Sequence, residues 1–210
     1  GGEFLNYNGS TTSYLCRLQT DGAKDVGFNI GSAFNGKIYT SVIHPDGKIT
    51  VAGAFTTFNG MPAGRIVRLN SDGSRDSTFD SSIAASSGTI YGLALQPDGN
   101  LIVVGSFTKY NGTTVNRIAR VLVNGNLDSS FNTGAAATSG IEDVALTPDG
   151  KIVVSGTFSS FNGNTNYSKL VRLNATGSID TACSIGTGFD GASEAIAVQP
   201  DSKILVGGSF

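Results

Sequence analysis

Short apolar runs recur along the chain in a fixed rhythm, and none carries the three- and four-residue spacing of an amphipathic helix. The run IYTSVI at 38–43 returns as IYGLAL at 90–95, IEDVAL at 141–146 and, more weakly, SEAIAV at 193–198. Each is followed by a second run, KITVAGAF, NLIVVGSF, KIVVSGTF or KILVGGSF, beginning at residues 48, 100, 151 and 203. Ile49, Val51 and Gly53 fall on one face of the first of these and Thr50, Ala52 and Ala54 on the other, the period of a β-strand. The two runs are joined by Pro45-Asp46-Gly47, Pro97-Asp98-Gly99, Pro148-Asp149-Gly150 and Pro200-Asp201-Ser202, at steps of 52, 51 and 52 residues. Proline presets the φ of a turn and glycine supplies a positive φ, so the two strands are predicted to pair as an antiparallel hairpin.

A loop containing Asn-Gly, at Asn8, Asn59, Asn111 and Asn162, leads to a third strand such as RIVRLN from Arg65 or RIARVL from Arg117. A second tight turn follows, at Asp21-Gly22, Asp72-Gly73, Asn124-Gly125 or Thr176-Gly177. A short fourth strand is then expected to pass through an aspartate and, three residues on, Phe28, Phe79, Phe131 or Cys183. Four antiparallel strands in a unit of about 51 residues, repeated with little between units, predict an all-β chain folded as a β-propeller with one sheet per blade. The single repeat region is 1–210, with units at approximately 4–54, 55–106, 107–157 and 158–210, each cut at the end of strand two. A stacked β-solenoid usually has shorter coils, and separate four-stranded domains of this size would bury too little core. The units either close as a four-bladed ring or form a section of a larger array. The absent initiator methionine and the duplicated Gly2-x-Phe4 and Gly208-x-Phe210 favour the section.

The combined pattern PDGKIxVxGxF, FNG and RIxRLNxDGSxD with a following Phe, read from Pro45 to Phe79, resembles the delta-60 repeat of large bacterial secreted and surface proteins. The resemblance covers essentially the whole chain and implies a β-propeller in an exported or surface-exposed protein, with adhesion or type IX secretion as its setting. The fourth unit departs from the pattern at Ser202, Lys169 and Cys183.

Composition narrows the chemistry. Only 14% of residues are charged and the net charge is −2, which gives no basic stripe for nucleic acid. No apolar run approaches the length of a membrane span, so no direct insertion is expected. Cys16 and Cys183 make no disulfide framework and, with one histidine, no zinc set; both occupy slots that other units fill with apolar residues. His44 has Gln96, Thr147 and Gln199 as its counterparts, so it reads as a turn-flanking residue. The stretch NSDGSRD at 70–76 superficially resembles a calcium loop, but Asn124 and Thr176 replace a would-be ligand in other copies, and turn chemistry explains it. No cofactor or metal is expected.

Two sets of residues recur in phase and read as structure: Arg17, Arg68, Arg120 and Arg172 on strand three, and Asp25, Asp76, Asp128 and Asp180 on strand four. They lie across one hairpin, where a blade-internal ion pair satisfies a covered guanidinium. Two other sets are candidates for ligand binding. Tyr39, Tyr91, Glu142 and Glu194 share a slot near the start of strand one, the strand nearest a propeller's channel, where they could hold a sugar or a peptide. Tyr7, Phe58, Tyr110 and Phe161 precede Asn-Gly and either stack on a sugar or tuck beneath their loops. The expectation is a non-catalytic binding or display module of a secreted or cell-surface bacterial protein, with a protein or glycan partner and neighbouring domains of a parent chain. The alternatives are a glycan-processing propeller with Glu142 and Glu194 as acid and base, and an intracellular assembly scaffold.

Overall fold

The computed structural model describes residues 1–82 and 84–210, and among them every regular element is a β-strand. Three sheets of three antiparallel strands follow one another: β1 (Ile38–Ile43), β2 (Ile49–Gly53) and β3 (Ile66–Leu69); β4 (Ile90–Leu95), β5 (Leu101–Gly105) and β6 (Ile118–Val121); β7 (Ile141–Leu146), β8 (Ile152–Gly156) and β9 (Leu170–Leu173). A final pair, β10 (Ala192–Val198) and β11 (Ile204–Ser209), repeats the first two strands of a sheet. The middle strand pairs with both neighbours, so the cuts at Phe55, Phe107 and Phe158 fall between the second and third strands of a sheet.

Turn chemistry sets these registers. Gly47, Gly99 and Gly150 take φ of 81°, 84° and 80° in the β1–β2, β4–β5 and β7–β8 turns, and Ser202 adopts 67° at the same point. Each Asn-Gly pair forms a tighter hairpin than a loop reading suggests: Asn59 and Gly60, at φ 50° and 72°, join Thr57–Phe58 to Met61–Pro62. Positive φ at both central residues gives the right-handed twist such two-residue turns need. The fourth strand is reduced to one bridge in each copy, Leu18↔Lys24, Leu69↔Arg75, Val121↔Leu127 and Leu173↔Ile179.

Beyond that bridge the chain crosses to the next sheet. Asn29, Asp80 and Asn132 donate their backbone N–H groups to the carbonyls of Asp72, Asn124 and Thr176 at 2.8, 2.9 and 3.0 Å. The apolar core lies in the seams so made: Ala52 and Ile66 meet Ile90 and Leu93, while Ile102 and Val104 meet Ile141 and Val144. The last seam is more polar, because fully buried Ser155 and Ser193 replace these aliphatic residues. The innermost strands stand side by side, β1 against β4, β4 against β7, and β7 against β10. Among the described residues β11 pairs only with β10, so the four-bladed closure with the N-terminal strands is not made.

Candidate functional site

A one-residue slip interrupts every innermost hairpin at the same place. Ile38 pairs with Gly53 and Thr40 with Ala52, leaving Tyr39 unmatched; Tyr91, Glu142 and Glu194 are the unmatched residues of β4, β7 and β10. A β-bulge turns the extra side chain away from the normal alternation. Here four bulges do so on four adjacent strands. Opposite them stand Gly53, Gly105, Gly156 and Gly208, where a Cβ would collide with the backbone carbonyls of Lys37, Thr89, Gly140 and Ala192. Glycine at the end of strand two is therefore required by the bulge that aims the site.

The four residues form a continuous arc. The Tyr39 and Tyr91 rings meet edge to face, with centroids 5.2 Å apart and planes at 69°. The Tyr91 ring and the Glu142 carboxyl both border the space above Gly140, which has no side chain to fill it. Glu142 and Glu194 occupy the same bulge position on the adjacent strands β7 and β10, and burial, then the charge of Glu194, raises the Glu142 carboxyl above its ordinary value. Glu194 accepts a hydrogen bond from the Ser209 hydroxyl at 3.3 Å. Lys37 closes the other end, its Nζ 4.6 Å from the Tyr39 ring centroid and 3.6 Å from a Glu3 carboxylate oxygen.

Asp143 was not visible as a candidate although it breaks the repeat, standing where Thr40, Gly92 and Ala195 stand. Its carboxylate accepts the Val144 N–H and, across the seam, the Ile196 N–H, both at 2.8 Å. It therefore ties β7 to β10 directly beside Glu142 and Glu194. Lys37 was missed for a different reason, since it lies one residue before β1 and its copies are Thr89, Gly140 and Ala192.

The loop aromatics stand elsewhere. Phe58, Tyr110 and Phe161 are fully buried, so their rings present no face to a ligand. Burial pushes the Tyr110 hydroxyl far up, and that hydroxyl donates to the Gly125 carbonyl at 3.2 Å. Tyr7 does the same to Gly22 at 2.7 Å. Each hydroxyl reaches the glycine of the turn that follows strand three, and the platform expectation gives way to an anchor beneath the loop.

The recurring arginines pair with their aspartates at 2.7 Å in all four copies. Three of them also cross to the next sheet: Arg17, Arg68 and Arg120 donate through Nη1 to the carbonyls of Ser71, Val123 and Ala175. The same guanidinium groups lie over the rings of Phe28, Phe79 and Phe131, the aromatics three residues after the aspartates. Burial tends to raise the Asp76 carboxyl, but bonds from Thr78, Arg68 and Lys48 outweigh it and hold it far below the ordinary range. His44 is buried against the Thr50 hydroxyl at 2.8 Å, and burial followed by the nearby Arg68 lowers its pKa. Cys16 and Cys183 are free thiols. Among the described residues no three His, Cys, Asp or Glu side chains gather to hold a metal ion, and no helix is long and apolar enough to cross a membrane.

Comparison with protein families matches residues 1–28, 44–79, 96–131 and 147–182 to four copies of a β-propeller domain of unknown function, DUF5122. The chain belongs to this β-propeller family. Among solved structures, this DUF5122 chain is similar to the WD40 β-propeller domain of Doa1, with a TM-score of 0.55 and 19% identity over 82% of this chain and 48% of that one. It is also similar to a putative gluconolactonase, with a TM-score of 0.53 and 16% identity over 90% and 61% of the two chains. A gluconolactonase from Xanthomonas campestris gives 0.51 and 16% over 92% and 61%. These likenesses are of fold, and the chain spans about half to three-fifths of each structure's length. A comparison with curated proteins finds no match.

Proposed function

We propose that the chain is a non-catalytic binding module of a secreted or cell-surface bacterial protein, holding a protein or glycan partner at the arc of Tyr39, Tyr91, Glu142 and Glu194. The observation that carries this reading is the row of four bulges, which brings the residues that vary between copies to one edge of the innermost strands. A rigid repeat scaffold with variable residues at one locus is suited to recognition. Aromatic edges beside carboxylates offer apolar contact together with hydrogen-bond acceptors. The bacterial surface setting rests on the resemblance of the repeat.

The test compares the wild type with Glu142→Gln and Tyr91→Ala on a glycan array and on whole bacterial cells. Binding is expected to fall at least about tenfold in both variants, the loss of roughly 1.4 kcal/mol. Glu142→Gln should also separate binding from stability. A carboxyl raised in the folded state binds its proton more readily there, so stability falls as pH rises from the ordinary value of 4.5 through the raised one. At pH 7 the glutamine variant should therefore melt above the wild type, with the difference gone below pH 4.5. Full binding by both variants would remove the arc from recognition.

One observation favours a second reading. A half-buried, raised carboxyl next to another is what a general acid needs, so the pair suits a glycan-processing enzyme. Oligosaccharide turnover by the wild type that disappears in Glu142→Gln would establish that reading over the first.

A further inference from the structure

We infer that the outer rim of the second sheet carries a second, separate site, a pocket for a single neutral sugar residue. A cavity of about 240 Å³ opens beside β6, between the Thr113–Thr114 arm of the Asn-Gly hairpin and the segment that follows the Val121↔Leu127 bridge. Ile118, Leu127 and Phe131 give it an apolar floor. Around the rim stand the hydroxyls of Thr113, Thr114, Ser129 and Thr133, none of which has a hydrogen-bond partner among the described residues.

The lining selects the ligand by charge, polarity and size. Arg120 and Asp128 border the cavity but neutralise one another through their 2.7 Å contact, leaving no unpaired charge for a phosphate or an amine. An apolar guest would strip water from the hydroxyls and replace none of their bonds, which is costly. A pyranose meets both demands, with C–H groups toward the floor and hydroxyls toward the rim. Pockets for drug-sized ligands run from about 300 Å³ upward, so this one suits one ring rather than a long oligosaccharide segment.

In two other copies a cationic side chain crosses the same space. In the first sheet Arg75 occupies the position of Leu127, and its Nη2 donates to the Pro62 carbonyl at 2.9 Å and the Ser81 hydroxyl at 3.0 Å. Pro62 and Ser81 correspond to Thr114 and Thr133, so the arginine bridges the two rims and puts a charge in the opening that remains beside Met61, Phe79 and Asp80. Near the N-terminus a related cavity of about 220 Å³ is crossed by Lys24, whose Nζ reaches the Thr11 carbonyl at 3.0 Å. Leu127 is too short and apolar to do either.

The test is methyl and aromatic-proton NMR of the protein titrated with methyl α-glucoside, methyl α-mannoside and methyl β-galactoside. The Thr113, Thr114 and Ile118 methyl signals should shift for at least one sugar, with a dissociation constant of roughly millimolar order. Leu127→Arg installs the charged side chain that bridges the rims in the first sheet, and it should abolish the shifts while the protein stays folded. Thr114→Val keeps the shape and removes one hydroxyl, and should weaken binding about three- to tenfold. The inference is overturned if none of the sugars moves these signals, or if both variants bind like the wild type. Shifts confined to Tyr39 and Tyr91 would also overturn it while supporting the channel-side arc, which lies on the innermost strands and stands or falls separately.

Discussion

Arg68→Met is expected to destabilise the folded chain by about 3 kcal/mol, a large part of the 5–15 kcal/mol typical of a domain. Arg68 and Asp76 are both buried, and the guanidinium makes three bonds at once: to the Asp76 carboxylate, to the Thr78 hydroxyl and to the Val123 carbonyl of the next sheet. Removing it strands a buried carboxylate and frees one inter-sheet tie. The loss is placed at the low end of the 3–5 kcal/mol expected for a broken buried pair because Lys48 remains 3.1 Å from Asp76. Arg68→Lys should recover little, since an ammonium cannot reproduce the planar fork. Urea melts check the ranking, with Arg172→Met costing less: its side chain is 21% exposed against 5% for Arg68.

The pH dependence has a definite sign. Asp76 is depressed in the folded state, so its contribution is complete above the ordinary value of 3.8 and is lost as pH falls below it. The same melts repeated at pH 3 should therefore show a smaller gap between the wild type and Arg68→Met than those at pH 7. An equal gap at both pH values would mean that the pair does not shape acid stability.

Gly105→Ala should cost about 1–3 kcal/mol and disturb the candidate site together with the fold. The added Cβ would overlap the Thr89 carbonyl, immediately before the bulge that aims Tyr91. Relief requires β4 to shift, and the Tyr39–Tyr91 edge-to-face pair then separates. Gly207→Ala is the matched control, because a Cβ there meets nothing within 4 Å and Ala52 fills the same slot in the first sheet. Proton NMR of the two tyrosine rings, read beside thermal melts, should show changed ring shifts in Gly105→Ala alone. Wild-type shifts and melting in that variant would detach the strand-two glycine from the site.

Much of this architecture could be read in the chain because its determinants are local. Pro-Asp-Gly and Asn-Gly dictate turns from their own backbone preferences, and their in-phase recurrence reveals the repeat. Arg68 and Asp76 could be paired because they flank one tight turn. The bulges could not be seen, since a register slip exists only between two strands and Tyr39 looks like an ordinary alternating residue until Gly53 is placed opposite Ile38. Phe58 and Tyr110 were ambiguous for a related reason: an aromatic before Asn-Gly can face water or core, and packing across the hairpin decides. The cavity at Leu127 likewise depends on how the Asn-Gly hairpin packs against the segment after the Val121↔Leu127 bridge, which no run of local sequence encodes.

The most direct test of the arc is the carboxyl-carbon NMR titration of Glu142 in the wild type and in Glu194→Gln. A shared site predicts a midpoint above 4.5 in the wild type that moves down in the variant without returning fully, because burial persists when the neighbouring charge is removed. A Glu142 midpoint at the ordinary value in both proteins would contradict it, since the two glutamates would then be separate, solvated strand-end residues.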